Sequence, residues 1–161
     1  MGKEAKTNAM RMLERAKVNY TSHEYPHEEG QAVDGAHVAQ LTGQDPAKVF
    51  KTLVTQGADR NYYVFVVPVL AELDLKKAAK SVGVKSVAMI HVADINKVTG
   101  YIRGGCSPVG MKKQFPTVFH ATAADLPAIM VSAGRIGHQV QCDPQALLAL
   151  LGAKTADIIV D

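Results

Sequence analysis

Two runs rich in β-branched and aromatic residues, at positions 51–55 and 62–67, are separated only by Gln56-Gly57-Ala58-Asp59-Arg60-Asn61. So short and polar a connection reverses the chain, and the pair reads as a β-hairpin. Around it the pattern alternates quickly. Thr7 caps a first helix that runs to about position 17, with Met12, Leu13 and Ala16 on one face. Residues 18–25 are extended and closed by Pro26, residues 34–41 form a short helix stopped by Gly43, and Asp45-Pro46 opens a turn through Phe50. Beyond the hairpin, Asp74 caps a helix over 75–81 that ends at Gly83. A short strand follows at 87–90, then a helix at 92–98 that Thr99-Gly100 stops. Strands are expected at 117–120, 128–132 and 139–141. Asp143-Pro144 starts a last helix ended by Gly152, and residues 156–160 read as a terminal strand. Helices and strands interleave without a regular βαβ rhythm, and hairpins dominate. A mixed α/β fold follows, with helices packed on a curled mixed sheet rather than a doubly wound parallel one.

The 161 residues, 47% of them hydrophobic, suffice for one domain with a real core, and no repeat or Pro/Ser-rich linker divides them. A single domain over 1–161 is expected. No uninterrupted apolar stretch approaches the length of a membrane span. The lead-in Met1-Gly2-Lys3-Glu4-Ala5-Lys6 is polar, so no secretory leader is expected. Two cysteines, Cys106 and Cys142, are too few for a disulfide scaffold and lack metal-ligand spacing. The expectation is a cytoplasmic protein with reduced thiols. A net charge of +3 is small for a dedicated nucleic-acid binder. Lys76, Lys77, Lys80 and Lys85 cluster, as do Lys112 and Lys113; these are solvated faces or, beside an active site, a hold on a phosphate backbone.

No nucleophile elbow, Walker loop or His-Glu-x-x-His stands in the chain. Gly100, Gly104 and Gly105 do not have the strand-turn-helix spacing of a dinucleotide loop. His23 and His27 fall on one strand face together with Tyr25, but no third metal ligand offers itself. Three features carry more. Lys51 enters an apolar strand between Phe50 and Thr52-Leu53-Val54: it is either a snorkelling edge residue or a fixed cation facing a cleft, suited to a phosphate, a carboxylate or an oxyanion. Gly104-Gly105-Cys106-Ser107-Pro108-Val109-Gly110 is either a tight connector or a loop whose backbone N–H groups approach a ligand. Val131-Ser132-Ala133-Gly134-Arg135 ends a strand in small residues beside a cation, as hairpin turns also do.

In this order the features resemble the YbaK/EbsC family of free-standing editing enzymes, which deacylate mischarged tRNA and are related to the editing insertion of bacterial prolyl-tRNA synthetase. The resemblance covers nearly the whole chain. It rests on His23-x-Tyr25-x-His27, Phe50-Lys51-Thr52-Leu53, Leu75-Lys76-Lys77-Ala78-Ala79-Lys80, Thr99-Gly100-Tyr101, Gly104-Gly105-x-Ser107-Pro108-x-Gly110 and Val131-Ser132-x-Gly134. Its nearest branch is the Cys-tRNA(Pro) deacylases. The resemblance implies a partly barrel-like mixed sheet and places Lys51 and Gly105 in catalytic roles. Lys51 would hold the terminal adenosine's phosphate or the aminoacyl ester, and Gly105 would offer backbone contact near the scissile carbonyl. Tyr25, His27, Phe50, Thr52, Gly104, Cys106, Ser107, Pro108, Ser132 and Gly134 would bind the substrate. The implied reaction is deacylation of Cys-tRNA(Pro), with Cys-tRNA(Cys) as a side substrate. In it the cysteine thiol attacks its own ester and leaves as a thiolactone, lyase-type chemistry where plain ester cleavage would be that of a hydrolase. The alternatives are another misacylated tRNA such as Ala-tRNA(Pro), or a non-catalytic module binding tRNA or the synthetase. Neither cofactor nor metal is implied. The expected partners are the acceptor end of aminoacyl-tRNA and prolyl-tRNA synthetase, with no membrane or DNA. Ala133 stands where the resemblance leads one to expect glycine, and Cys106 where it leads one to expect an aliphatic residue. As a protein nucleophile, Cys106 would replace the substrate's own thiol.

Overall fold

The computed structural model describes residues 6–28 and 31–161, so the lead-in at 1–5 lies outside the described residues. The chain runs α1 (Asn8–Arg15), β1 (Tyr20–Glu24), α2 (Gly35–Leu41), a 3-10 turn at Pro46–Lys48, β2 (Phe50–Gly57), β3 (Tyr62–Pro68), α3 (Leu75–Ser81) and β4 (Val87–Met89). A turn at Val92–Asp94 leads into α4 (Ile95–Thr99), followed by β5 (Thr117–His120), β6 (Ile129–Ser132), β7 (His138–Cys142), α5 (Pro144–Leu151) and β8 (Lys154–Ala156). The helix starts are chemically specified. Thr7 Oγ1 accepts from the Met10 N–H at 3.1 Å, and the Asp74 carboxylate accepts from the N–H groups of both Lys76 and Lys77. Asp45 and Asp143 each precede a proline and accept from Ala47 and Gln145.

The predicted hairpin forms, β2 against β3 from Phe50↔Pro68 to Gln56↔Tyr62. It lies at the heart of a five-stranded sheet ordered β4-β2-β3-β5-β8, in which β5 pairs parallel to both β3 and β8. Because β3 is central, its two faces fill two cores with a period of two. Val64 and Val66 join Phe119, Leu13 and Leu147 in the larger cluster, whereas Phe65 and Val67 meet Val118, Ala78 and Ile158 on the other side. A second, antiparallel sheet is ordered β1-β7-β6.

The mixed α/β class with packed helices is as expected, but the strands make two sheets that do not close into a barrel. The larger ends at β4 and β8, the smaller at β1 and β6, and among the described residues one parallel bridge, between Val49 and Met130, joins them. The terminal strand also differs. Only Lys154–Ala156 pairs with β5; residues 158–160 leave the sheet and run beside the start of α3. There the Asp74 N–H donates to Ile158 O, the Val160 N–H donates to Glu72 O, and Ile159 bridges Leu73. Lys77 fixes this arrangement by donating to Asp157, Asp161 and the Ile159 carbonyl. One member of the predicted basic cluster is thereby committed to the fold.

Candidate active site

A cavity of about 400 Å³ opens where the two sheets meet. The start of β2 supplies Phe50, Lys51, Thr52 and Leu53; the end of β6 supplies Ser132, and β7 supplies Gln139. Tyr25, just past β1, is 5% exposed and donates its N–H to Gly137 O, which fixes the tyrosine against the β6–β7 turn. Asp34 and Gly35 bring the first turn of α2 to the rim, and the glycine loop contributes Arg103, Gly104 and Cys106. Gly104 has φ +85°, and a Cβ there would lie 2.6 Å from that of Ala32, so only glycine lets the loop close on the opposite wall.

Lys51 faces this cavity half-buried. Among the described residues no carboxylate lies within ion-pair distance of it. Burial lowers its pKa from the ordinary lysine value, and the charge of Glu72 pulls weakly the other way. An unneutralised cation at the wall of a pocket is a receptor for an anion. Two acceptors accompany it: Thr52 Oγ1 and Gln139 Oε1 are buried without a hydrogen-bond partner among the described residues, and Gln139 is only 6% exposed. Leaving such groups unpaired is costly, so these two oxygens are the atoms of the wall that most lack a partner.

Of the residues singled out in the sequence, Tyr25, Phe50, Lys51, Thr52, Gly104, Cys106 and Ser132 line the cavity together. Five do not. The Gly105 N–H donates to Ile102 O at 2.9 Å, and its α-carbon backs onto the Arg135–Ile136 backbone, so it offers no free donor to a scissile carbonyl. Ser107 is fully buried, its Oγ accepting from the Val109 N–H; Pro108 is buried beside it. His27 is exposed with its ring over Gly137, and Gly134 packs on the ring of Tyr101. Ala133 is fully buried in the larger core and does not line the cavity. His23 binds the Gln141 side chain at 2.8 Å, and no group of three potential metal ligands gathers among the described residues.

Gln139, Arg103 and Asp34 were not legible as site residues. Gln139 reads as one more polar residue on an alternating strand, and Arg103 as a loop cation. Asp34 was visible only as the start of α2; its carboxylate accepts the His37 N–H and is held ionised below its ordinary range by that bond and the His37 side chain. Among the described residues no histidine lines the cavity, and no nucleophile there stands beside a base and an orienting group. Burial pushes the Cys106 thiol up to about 11, leaving it protonated at neutral pH. Cys106→Ser is therefore expected to retain the protein's activity within about twofold; a large loss on this substitution would count against a thiol that only packs the wall.

The chain resembles known proteins along nearly its whole length. Residues 29–150 match the aminoacyl-tRNA editing domain. The chain is 48% identical over 153 residues, 95% of its length and 93% of the relative's, to EbsC of Enterococcus faecalis (strain ATCC 700802 / V583), a protein provisionally named Cys-tRNA(Pro)/Cys-tRNA(Cys) deacylase. Among solved structures, one described as a proposed trans-editing enzyme for prolyl-tRNA synthetase superposes with a TM-score of 0.81 at 26% identity, covering 98% of this chain and 100% of that one. A second, of a hypothetical protein, reaches a TM-score of 0.85 over 96% of this chain and 100% of its own at 19% identity, a likeness of fold alone.

Proposed function

The chain belongs to the aminoacyl-tRNA editing domain family, and from that premise we propose that it deacylates Cys-tRNA(Pro), with Cys-tRNA(Cys) as a second substrate. The observation that carries this reading is Lys51: a half-buried cation without an ion-pair partner among the described residues, facing a cavity with unpaired acceptors. Its ammonium binds the phosphate of the terminal adenosine or the ester oxygen. The acceptors Gln139 Oε1 and Thr52 Oγ1 take hydrogen bonds from the ammonium and hydroxyl groups of the aminoacylated ribose.

The chemistry is assigned to the substrate. The thiol of the esterified cysteine attacks its own carbonyl carbon. The new C–S bond closes a thiolactone, the C–O bond to the ribose breaks, and the thiol proton ends on the ribose hydroxyl. An intramolecular nucleophile has a high effective concentration, so a pocket that folds the substrate into attack geometry supplies much of the acceleration. Among the described residues the lining holds neither a histidine nor a base-activated nucleophile, which supports this route over attack by the protein. Esters of alanine or proline lack the thiol, so selectivity rests on reactivity as well as fit. With a net charge of only +3, acceptor-stem binding is weak and salt-sensitive, and selection of tRNA(Pro) comes from transient association with prolyl-tRNA synthetase.

Incubation with Cys-tRNA(Pro) and Ala-tRNA(Pro), with identification of the released product, tests the reading. Cysteine released as thiolactone supports it. Release of free cysteine overturns the cyclisation, and preferential loss of alanine overturns the specificity. If both esters survive while charged tRNA is retained, the chain is a binding module.

The pH dependence has a definite sign. Anion binding needs the protonated ammonium, whose pKa lies below the ordinary lysine value. Affinity is therefore full at low pH and falls as pH rises through that lowered pKa. A non-hydrolysable 3′-amide analogue of cysteinyl-adenosine 5′-phosphate should bind progressively more weakly as pH rises, the decline setting in earlier than it would for a lysine of ordinary pKa. In Lys51→Arg this decline should vanish, because guanidinium stays charged where the lysine loses its proton. An unchanged profile in the arginine variant would assign the titration elsewhere.

A further inference from the structure

A separate, open groove of about 750 Å³ lies between α1 and the stretch of chain that leaves the glycine loop. Asn8, Arg11, Met12 and Arg15 form its helical wall, and Gly110 and Met111 the other. The register of α1 sets what the helix presents. Ala9 and Leu13, one turn apart, are fully buried, which turns Asn8, Arg11 and Arg15 outward on the opposite side. Met12 and Met111, both half-buried, give the groove an apolar part between its polar residues.

The charge on this face is unbalanced. Among the described residues no carboxylate lies within ion-pair distance of Arg11, Arg15, Lys112 or Lys113, and all four are exposed. Glu14 also lines the groove, but it is engaged already: Lys6 donates to it at 2.8 Å and the Tyr20 hydroxyl at 2.6 Å. Lys112 and Lys113 follow Met111 directly, and the Lys112 Nζ donates to Lys97 O on α4, which carries the positive face past the groove. These four cations exceed the net charge of the whole chain, +3, so the rest of the molecule is slightly acidic on balance. A concave face of one sign with low-dielectric walls concentrates its field on an incoming polyanion.

We propose that this groove docks the sugar-phosphate backbone of an RNA duplex, the acceptor stem of the tRNA whose 3′ end enters the cavity. The inference rests on the editing reading above and adds to it a second, distant contact. Cys106 lines the cavity and Met111 the groove, so the intervening chain holds the two within about 18 Å of each other. Arg11 and Arg15 stand about 6 Å apart along the helix axis, and each guanidinium can grip a phosphate with two parallel hydrogen bonds. The Asn8 amide can donate to a phosphate or exchange hydrogen bonds with a 2′-hydroxyl. Among the described residues no aromatic ring lines the groove, so it offers no platform for an unpaired base, and a paired backbone is the form of RNA that suits it. Backbone contacts carry no sequence information. The face therefore adds affinity for any acceptor stem, in keeping with a choice of tRNA made by the synthetase.

The test uses a hairpin RNA with the acceptor-stem sequence and no aminoacyl group, titrated by fluorescence anisotropy over a range of salt concentrations. The companion substrate is 3′-cysteinyl-adenosine 5′-phosphate, which has no stem. In Arg11→Gln/Arg15→Gln both positions are exposed and glutamine is a good helix former, so the melting temperature should hold. Affinity for the hairpin should fall about tenfold near 0.1 M salt, and the slope of log K against log salt should become shallower by about 2. KM for Cys-tRNA(Pro) should rise about tenfold with kcat little changed, while the stemless ester turns over within about twofold of the unaltered protein. Arg11→Lys/Arg15→Lys should keep the salt slope. Unchanged hairpin affinity and slope in the glutamine variant overturn the docking face and leave the editing reading standing. Equal losses on Cys-tRNA(Pro) and on the stemless ester place the effect in the cavity and overturn it as well. A glutamine variant that binds the hairpin normally and fails only when prolyl-tRNA synthetase is present makes the face a protein contact, which overturns the RNA assignment. If no aminoacyl ester is deacylated, the editing reading falls by itself, and the docking face stands or falls on the hairpin.

Discussion

Lys51→Ala should lower kcat/KM for Cys-tRNA(Pro) by roughly 10²–10³-fold, the loss typical of one preorganised charge or donor at a reacting centre. The same substitution should leave the melting temperature unchanged or slightly raised. Lys51 has no ion-pair partner among the described residues, and its burial is a desolvation cost, visible in its lowered pKa. This split between activity and stability separates the two readings that the sequence left open. A snorkelling edge lysine would cost little activity; a cation held for an anionic substrate costs most of it. Single-turnover deacylation beside a thermal melt decides: activity within about threefold of the unaltered protein returns Lys51 to the edge of a strand, and a collapsed melt makes it structural.

Gly110→Ala should be among the most damaging single-methyl additions to this chain. Gly110 has φ +81°, and a Cβ there would lie 2.7 Å from Tyr101 Oη and 3.0 Å from both Ala9 N and Asn8 C, at the start of α1. That hydroxyl donates to Val109 O at 2.7 Å inside the protein. The left-handed backbone costs about 1–2 kcal/mol for a residue with a side chain, and disrupting a buried hydrogen bond about 1–3 kcal/mol. Together these give about 3 kcal/mol, or a melting temperature lowered by roughly 6–12 °C at this chain length. Gly83→Ala is the control, because φ is +71° there but nothing lies within 4 Å of the added carbon. It should lose only the backbone part, about 1–2 kcal/mol. Equal losses at the two positions would remove the packing argument and leave backbone strain alone.

What could be read from the sequence follows the range of the interactions concerned. The caps at Thr7, Asp74 and Asp143 and the β2–β3 hairpin are decided within a few residues, and each stands where it was expected. The division into two sheets was not legible, because a strand's partner is chosen by packing far along the chain. Residues 156–160 are an instance. Their β-branched pattern reads as a strand, yet only the first of them stays in the sheet. Ile158 is instead fully buried beside the start of α3, where Lys77 and Asp74 receive the chain. In the site, Lys51 and Thr52 were visible as polar residues entering an apolar run. Gln139 was not, because what distinguishes it is a buried oxygen with no partner, which only the folded wall reveals. Gly105 shows the converse: a glycine pair suggests free donors, but the backbone of the loop consumes this one.

The parallel pairing of β5 with both β3 and β8 has a kinetic consequence. Val64 finds Thr117, and Val118 finds Lys154, across long intervening stretches of chain. Each pairing must meet a loop-closure entropy before its contacts reward it. Such a topology places folding toward the slower, millisecond-to-second end of small-domain behaviour. During synthesis, the flank of β5 that β8 covers stays unpaired until Lys154–Ala156 has emerged. A nascent chain halted before that point holds the whole of the cavity lining yet leaves an open sheet edge, the state in which pairing with another chain competes with completion of the fold.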